Sequence, residues 1–327
     1  MTGTETGTGT PASNGTEIRT VALIGAGVIG NGWAAHLLAQ GLQVRVTDPA
    51  DGAQQRLYRD VELALPALER LGRRTTGWRE RLTFTSSIAA AVEGADFVQE
   101  NGPEPEPLKT PLVAEIDAVT PGSTVIASSS SGMLPSRMAA MCARHPERLV
   151  VGHPFNPVYL IPLVEVVGGP ATAPAVIEQA LAFYAASGKR PIHVRQELPG
   201  HLANRLQAAL WREAYSLVER GVASVADIDT AIAHGPGLRW ALLGPLVNQH
   251  LSGGDGGLAH ILEHLGPPTQ RWMDDLGAPQ LTPALAEALV SGVNAELDGI
   301  DVRALVAERD ALLIDLLTAK ARAQALP

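Results

Sequence analysis

Two titratable residues stand in a stretch that otherwise leaves water, VVGHPFNPVYLIPLVEVV at positions 150–167. His153 sits in its first apolar run and Glu165 in its second. A buried carboxylate must be paired or protonated. The stretch reads as a strand, a proline-rich turn and a second apolar run. If both strands feed one sheet, the turn PFNPVY sets His153 beside Glu165. Glu165 then holds one imidazole nitrogen, fixes the tautomer and stabilises the cation that forms when the other nitrogen takes a proton. Such a pair moves a proton on and off a substrate hydroxyl. A salt-bridged pair without a substrate has the same spacing, so spacing alone leaves both readings open.

The second chemical motif is GAGVIG, with Gly25, Gly27, Val28, Ile29 and Gly30. A lone G-x-G-x-x-G is weak evidence; its context here makes it strong. It follows the β-branched run TVALI and opens the helix-like NGWAAHLLAQG, and Asp48 ends the next strand, QVRVTD. Each part has a task in holding a dinucleotide. Gly25 permits the tight turn, Gly27 lets a pyrophosphate approach the backbone, and Gly30 lets the helix lie close on the strand. The helix N-terminus offers free N–H groups to the phosphates. Asp48 can accept hydrogen bonds from the ribose hydroxyls and repels a 2′-phosphate, and Pro49 rather than arginine follows, which favours NAD over NADP. With a hydride acceptor, the His153–Glu165 pair suits alcohol oxidation: hydride leaves carbon while a base removes the hydroxyl proton.

These residues need a scaffold. DFVQEN, TVIASSSS and RLVVGHPF read as further strands, with helical stretches AQQRLYRDVELALPALERL, TPLVAEIDAV and LPSRMAAMCARH between them. The first of these helices, with Pro66 inside it, reads as an excursion away from the sheet. Alternating strands and helices predict an α/β fold, a Rossmann-type doubly wound parallel sheet. After Val194 the strands stop and an all-α C-terminal domain follows. It opens with ELPGHLANRLQAALWREAYSLVERG, read as one long helix bounded by Pro199–Gly200 and Gly221. That helix carries Asn204, Ala208, Trp211, Tyr215 and Val218 on one stripe and Leu202, Leu206, Leu210 and Leu217 on another, so it is expected to be covered on two sides. Ser224 and Asp227 have capping-box spacing. The expected organisation is a disordered leader over 1–17, an NAD-binding domain over 18–198 and a helical substrate and dimerisation domain over 199–327.

Composition narrows the function. The 327 residues are 46% hydrophobic and 18% charged, enough for a large core. A net charge of −9 argues against nucleic acid or an anionic membrane as the main partner. No apolar run reaches the ~20 residues a membrane span needs, and the Gly/Thr-rich N-terminus has no signal-peptide pattern. A single cysteine, Cys142, excludes an intrachain disulfide, suits a cytoplasmic setting and reads as packing. His260 and His264 lack the glutamate that directly follows the first histidine of a zincin motif and read as solvated or packed, so no metal is expected.

GAGVIG, SSSSGMLPS, GHPFNPVYLIPLVEVVGG and PGHLANRL, in that order, resemble the L-3-hydroxyacyl-CoA dehydrogenase superfamily, most of all its branch of λ-crystallin (L-gulonate 3-dehydrogenase) and L-carnitine dehydrogenase. The resemblance implies His153 as general base and Glu165 as its orienting partner. It implies Ser131, near the nicotinamide, and Asn204 as hydrogen-bond partners of the substrate oxygen. It places Glu104, Lys109 and Asn156 at cofactor-contacting positions, and it implies a homodimer. Two departures stand out. PEPEPLK has prolines where many relatives carry an Asn-Leu pair, and His201 stands where relatives usually carry Phe.

The substrate is less legible. Trp211 and Tyr215 share a stripe with Asn204, and Arg239 and Trp240 follow in HGPGLRWALLGP. Aromatic side chains suit a quaternary ammonium and Arg239 suits a carboxylate; packing serves all four equally. The leading expectation is NAD-dependent oxidation of a small L-3-hydroxy acid, carnitine- or gulonate-like. The alternatives are a 3-hydroxyacyl thioester as substrate, and an NAD-binding, crystallin-like protein without turnover.

Overall fold

The computed structural model describes residues 18–326. They form two compact units, divided between His201 and Leu202. The expected leader, 1–17, lies outside the described residues.

In the first unit strands alternate with helices. β1 (Thr20–Ile24), α1 (Val28–Ala39), β2 (Gln43–Thr47), α2 (Ala53–Arg70), α3 (Trp78–Arg81), β3 (Leu82–Thr85), α4 (Ile88–Val92) and β4 (Phe97–Glu100) make the first half. α5 (Glu106–Val119), β5 (Val125–Ser128), α6 (Pro135–Ala139), β6 (Leu149–Pro154), β7 (Leu163–Gly168), α7 (Pro174–Ala186) and β8 (Arg190–Val194) complete it. The strands lie in the order β3-β2-β1-β4-β5-β6-β7-β8. Every pair is parallel except β6 with β7.

The sheet is buried on both faces because its strands are apolar at odd and even positions alike. Val21 and Leu23 face one core with Trp33 and Leu37 of α1, Leu57 and Val61 of α2 and Tyr184 of α7. Ala22 and Ile24 face the other with Val113 and Ile116 of α5 and Met138 of α6. Two sequence expectations are corrected here. α2 does not leave the sheet: it runs through Pro66 and buries Leu57, Val61, Ala64 and Leu68 on the first core. The short run LTFT, not read as a strand, extends the edge beside β2.

The second unit is helical: α8 (Ala203–Glu219), α9 (Val225–Ala233), α10 (Pro236–Trp240), α11 (Pro245–Ser252), α12 (Gly257–Asp275), α13 (Pro283–Glu296) and α14 (Val302–Arg322). α8 starts later than the sequence suggested. Gly200 has φ +76° and His201 φ +51°, so both lie in the left-handed region and neither can open a right-handed helix. α9 begins with the expected capping box: the Ser224 hydroxyl accepts from Asp227 N–H, and the Asp227 carboxylate accepts from Ser224 N–H. Few side chains in this unit are buried, Leu285 and Ile314 among them, while Leu206, Leu210, Leu262 and Trp272 are exposed. No helix among the described residues is long and apolar enough to cross a membrane.

Candidate active site

The antiparallel step from β6 to β7 builds the centre of the site. The turn after Pro154 returns the chain so that His153 and Glu165 are register partners on neighbouring strands. Side chains at register positions point to the same face. His153 Nδ1 therefore meets Glu165 Oε2 at 2.7 Å, with Glu165 fully buried and His153 5% exposed. The carboxylate accepts, so Nδ1 carries the hydrogen and Nε2 is left as the basic nitrogen. Phe155 packs edge-on against the His153 ring at 4.8 Å. Asn156 lies in the same turn.

β6 is held from behind. The Tyr184 hydroxyl donates to Gln99 Oε1 (2.6 Å), and Gln99 Nε2 donates to the Gly152 carbonyl (3.1 Å) and to Ser129 Oγ (2.8 Å). A Cβ at position 152 would sit 1.9 Å from the Tyr184 oxygen, so this close packing admits only glycine beside the histidine. Ser129 Oγ donates on to Asn101 Oδ1 at 2.7 Å. This network was not read from the sequence; the signal available is Gln99, a polar side chain that follows the apolar start of β4.

The serine run follows β5, next to β6 in the sheet. Glu104 binds it: its carboxylate accepts from Ser130 Oγ and from Ser131 N–H, both at 2.8 Å. The prolines around Glu104 have therefore not carried it away from the serine run. Lys109 needs correction. Its ammonium is 1% exposed and donates to both Glu100 oxygens (2.7 and 3.0 Å) and to Gly102 O (2.9 Å). An ammonium has three hydrogens, so no donor remains for a cofactor. Burial is the largest influence on Glu100 and raises its carboxyl pKa, with Lys109 opposing.

On the same carboxyl edge of the sheet, three strands from β6, the turn from β1 to α1 fits a dinucleotide. Gly25 has φ +104°, and a Cβ there would lie 2.7 Å from Asn101 O. A Cβ at Gly30 would lie 2.0 Å from Gly25 O. At Gly27 it would meet nothing within 4 Å, which leaves the approach to the backbone open. Gly27 is also the N-cap of α1 and supplies no capping side chain, so the N–H groups of the first turn, Val28 and Ile29 among them, are left without a side-chain cap, as an anion site requires. Asp48 Oδ2 accepts from Ala26 N–H at 2.7 Å and Oδ1 from Ala50 N–H at 2.8 Å. The carboxylate is thus fixed beside the glycine turn, with lone pairs to spare for ribose hydroxyls.

Residues 20–198 match the NAD binding domain of 3-hydroxyacyl-CoA dehydrogenase, and residues 200–291 match its C-terminal domain. The chain belongs to the 3-hydroxyacyl-CoA dehydrogenase family. It is an NAD-dependent oxidoreductase. It is 52% identical over 306 residues to L-carnitine dehydrogenase of Streptomyces griseus, covering 94% of this chain and 91% of that one. It is 50% identical over 305 residues to L-carnitine dehydrogenase of Streptomyces coelicolor, covering 93% and 96%. Among solved structures, an NAD+-dependent 5-formyl-3-hydroxy-2-methylpyridine 4-carboxylic acid 5-dehydrogenase superposes with a TM-score of 0.81 at 30% identity, over 94% of this chain and 100% of that one. (S)-3-hydroxybutyryl-CoA dehydrogenase from Ralstonia eutropha gives 0.65 at 27%, over 84% and 95%.

The helical unit holds the remaining family-dehydrogenase candidates. Asn204 lies half-buried in the first turn of α8. Trp211 and Tyr215, from the same helix, line an apolar cavity of about 410 Å³ with Val225, Ile228, Asp229 and Val290. Arg239 and Trp240, on α10, are exposed and not part of its lining. Cys142 packs half-buried against the second core, where burial pushes its thiol up to about 11. His260 and His264 stack on each other in α12, and among the described residues no His, Cys, Asp and Glu group forms a metal site.

Proposed function

We propose that this enzyme oxidises the 3-hydroxyl of L-carnitine, or of a closely similar small L-3-hydroxy acid, to the 3-keto acid. The observation that carries the chemistry is the 2.7 Å contact between the buried pair His153 and Glu165. NAD, when bound, takes the hydride released from the hydroxyl-bearing carbon. His153 Nε2 removes the hydroxyl proton in oxidation and returns it in reduction. Glu165 keeps Nδ1 protonated and offsets the imidazolium charge. Ser131 hydrogen-bonds the substrate oxygen, which it can polarise without competing for the proton. Gly25, Gly27, Gly30 and the backbone of Val28 and Ile29 hold the pyrophosphate, Asp48 the ribose, and Glu104 and Asn156 line the nicotinamide side.

The substrate assignment rests on half-identity to L-carnitine dehydrogenases along nearly the whole chain. Trp211 and Tyr215 supply aromatic faces and Asp229 a carboxylate in one cavity, a lining suited to a quaternary ammonium. NADH formation is the test, with L-carnitine, L-gulonate and L-3-hydroxybutyryl-CoA offered in parallel. Turnover of L-carnitine at the highest kcat/KM is expected. Preference for the thioester would replace the substrate assignment, and tight NAD binding with no turnover of any would leave a dinucleotide-binding protein.

The working assembly is proposed to be a cytoplasmic homodimer joined through residues 199–327, the domain that follows the NAD-binding domain of 18–198. Leu206 and Leu210 on α8 and Leu262 and Trp272 on α12 are exposed in the single chain, apolar surface that a second copy could cover. Light scattering should give twice the 34.3 kDa chain mass. A monomer at micromolar concentration contradicts this assembly.

A further inference from the structure

His201 is the one non-glycine residue with positive φ among the described residues, at +51°. Its side chain is fully buried. Its Nε2 meets the Ser130 carbonyl at 3.0 Å. A carbonyl only accepts, so Nε2 carries the hydrogen and Nδ1 keeps a bare lone pair. That Nδ1 is buried and has no hydrogen-bond partner. The ring lies 5.5 Å from the His153 ring, at 52° between planes. Left-handed backbone on a side chain with a Cβ and an orphaned buried nitrogen are both unfavourable. A phenyl ring would fill the same space without the second defect. Such features persist where they serve function.

Nδ1 needs a donor, and the groups facing it supply none before reaction. The titratable groups acting on His201 are His153, Glu165 and Glu104. Glu104 is engaged by Ser130 and Ser131, and Glu165 by His153. Neither carboxylate donates. His153 becomes a donor at Nε2 once it has taken the substrate proton. We propose that His201 is a positioning residue for His153, whose Nδ1 accepts a hydrogen bond from the protonated His153 Nε2–H, directly or through one water, and so stabilises the imidazolium from the side opposite Glu165. No bond to carbon changes in this step: the proton removed from the hydroxyl stays on His153, and His201 shares it by hydrogen bonding. His201 itself stays neutral, since burial first, and then the charge of His153, lower its pKa, outweighing the Ser130 bond and the carboxylates.

The inference rests on His153 being the base of the proposed reaction, and its test is separable from that reading. A hydrogen bond to a charged form favours that form. Removing it makes His153 a weaker base, which holds its proton only at lower pH. In the His201→Phe variant the acid limb of the kcat/KM profile for L-carnitine oxidation should move about one unit to lower pH, a tenfold change in proton affinity. The alkaline plateau of kcat should fall about tenfold, with the Kd for NAD within about twofold of wild type. The His201→Asn variant tolerates the left-handed backbone, can donate to Ser130 and offers an amide oxygen as acceptor, so it should recover part of both changes. It also serves as the informative variant if His201→Phe does not fold. Acid limbs that superimpose on wild type in the folded variants, whatever the change in overall rate, would overturn the role. If instead the wild-type enzyme is active and His153→Ala is equally active, the base assignment fails and not the placement of His201.

Discussion

At the residue scale, the decisive object is a carboxylate fully removed from water and paired with an imidazole. Glu165→Gln keeps the shape and removes the charge. Without that charge the imidazolium formed in oxidation is less stable, so kcat should fall about 10²-fold or more, with NAD affinity unchanged; stopped-flow NADH formation measures it. A variant with wild-type kcat would show the pair to be structural. The buried Lys109–Glu100 pair makes the complementary case. Lys109→Met leaves Glu100 unpaired in the interior, which should cost about 3–5 kcal/mol of stability, read by urea denaturation. A variant of full stability that loses only NAD affinity would restore the cofactor-contact expectation. The two pairs also mark what sequence can reveal. His153 and Glu165 were legible because a titratable residue on each of two apolar runs joined by one turn has few other partners. Lys109 was not, since whether its amine meets a phosphate or a carboxylate depends on where β4 ends and leaves Glu100 facing α5.

At the element scale, the glycine turn and the first helix do the positioning. Gly30 is where α1 lies on the strand end, with 2.0 Å available to a Cβ. Gly30→Ala must push α1 away from the turn and tilt the N–H groups proposed to hold the pyrophosphate. Fluorescence titration should show NAD binding weakened at least about tenfold, the loss of one to two charge-assisted hydrogen bonds. Unchanged affinity would place the dinucleotide elsewhere. The strands β1, β2, β4, β5 and β6 were legible as apolar runs ending in glycine or polar residues. β3 was not, because LTFT is short and half polar and becomes a strand only through the edge that β2 offers. The late start of α8 has the same kind of cause. The apolar pattern runs back to Leu198, but the backbone at Gly200 and His201 is left-handed, and periodicity carries no sign of that at a histidine.

At the scale of the whole molecule, the first unit closes its own core while the second leaves large apolar side chains uncovered. The compositional reading anticipated a large core; it could not say which apolar side chains stay uncovered, because exposed and buried leucines look alike in sequence. The first unit also carries an acid-sensitive element. His36 is buried, its Nε2 bonded to Ser187 O and its Nδ1 unpaired. Burial chiefly, and then the nearby Lys189 charge, hold its pKa well below 6.5. Below pH 6.5 the unfolded chain therefore binds a proton that the folded one refuses, and stability is lost as pH falls, by up to about 1.4 kcal/mol per pH unit. Urea denaturation between pH 7 and 5 should show a shallower decline for His36→Gln than for wild type. Parallel declines would assign the acid sensitivity to other groups.

The most direct measurement is NADH formation from L-carnitine at saturating NAD by the wild-type enzyme and by His153→Ala, with the NAD dissociation constant measured for both. Wild-type turnover, a fall of about 10²–10⁴-fold in the variant and equal NAD affinity are expected. A variant that turns over L-carnitine at the wild-type rate would contradict the assignment of His153, braced by Glu165, as the base.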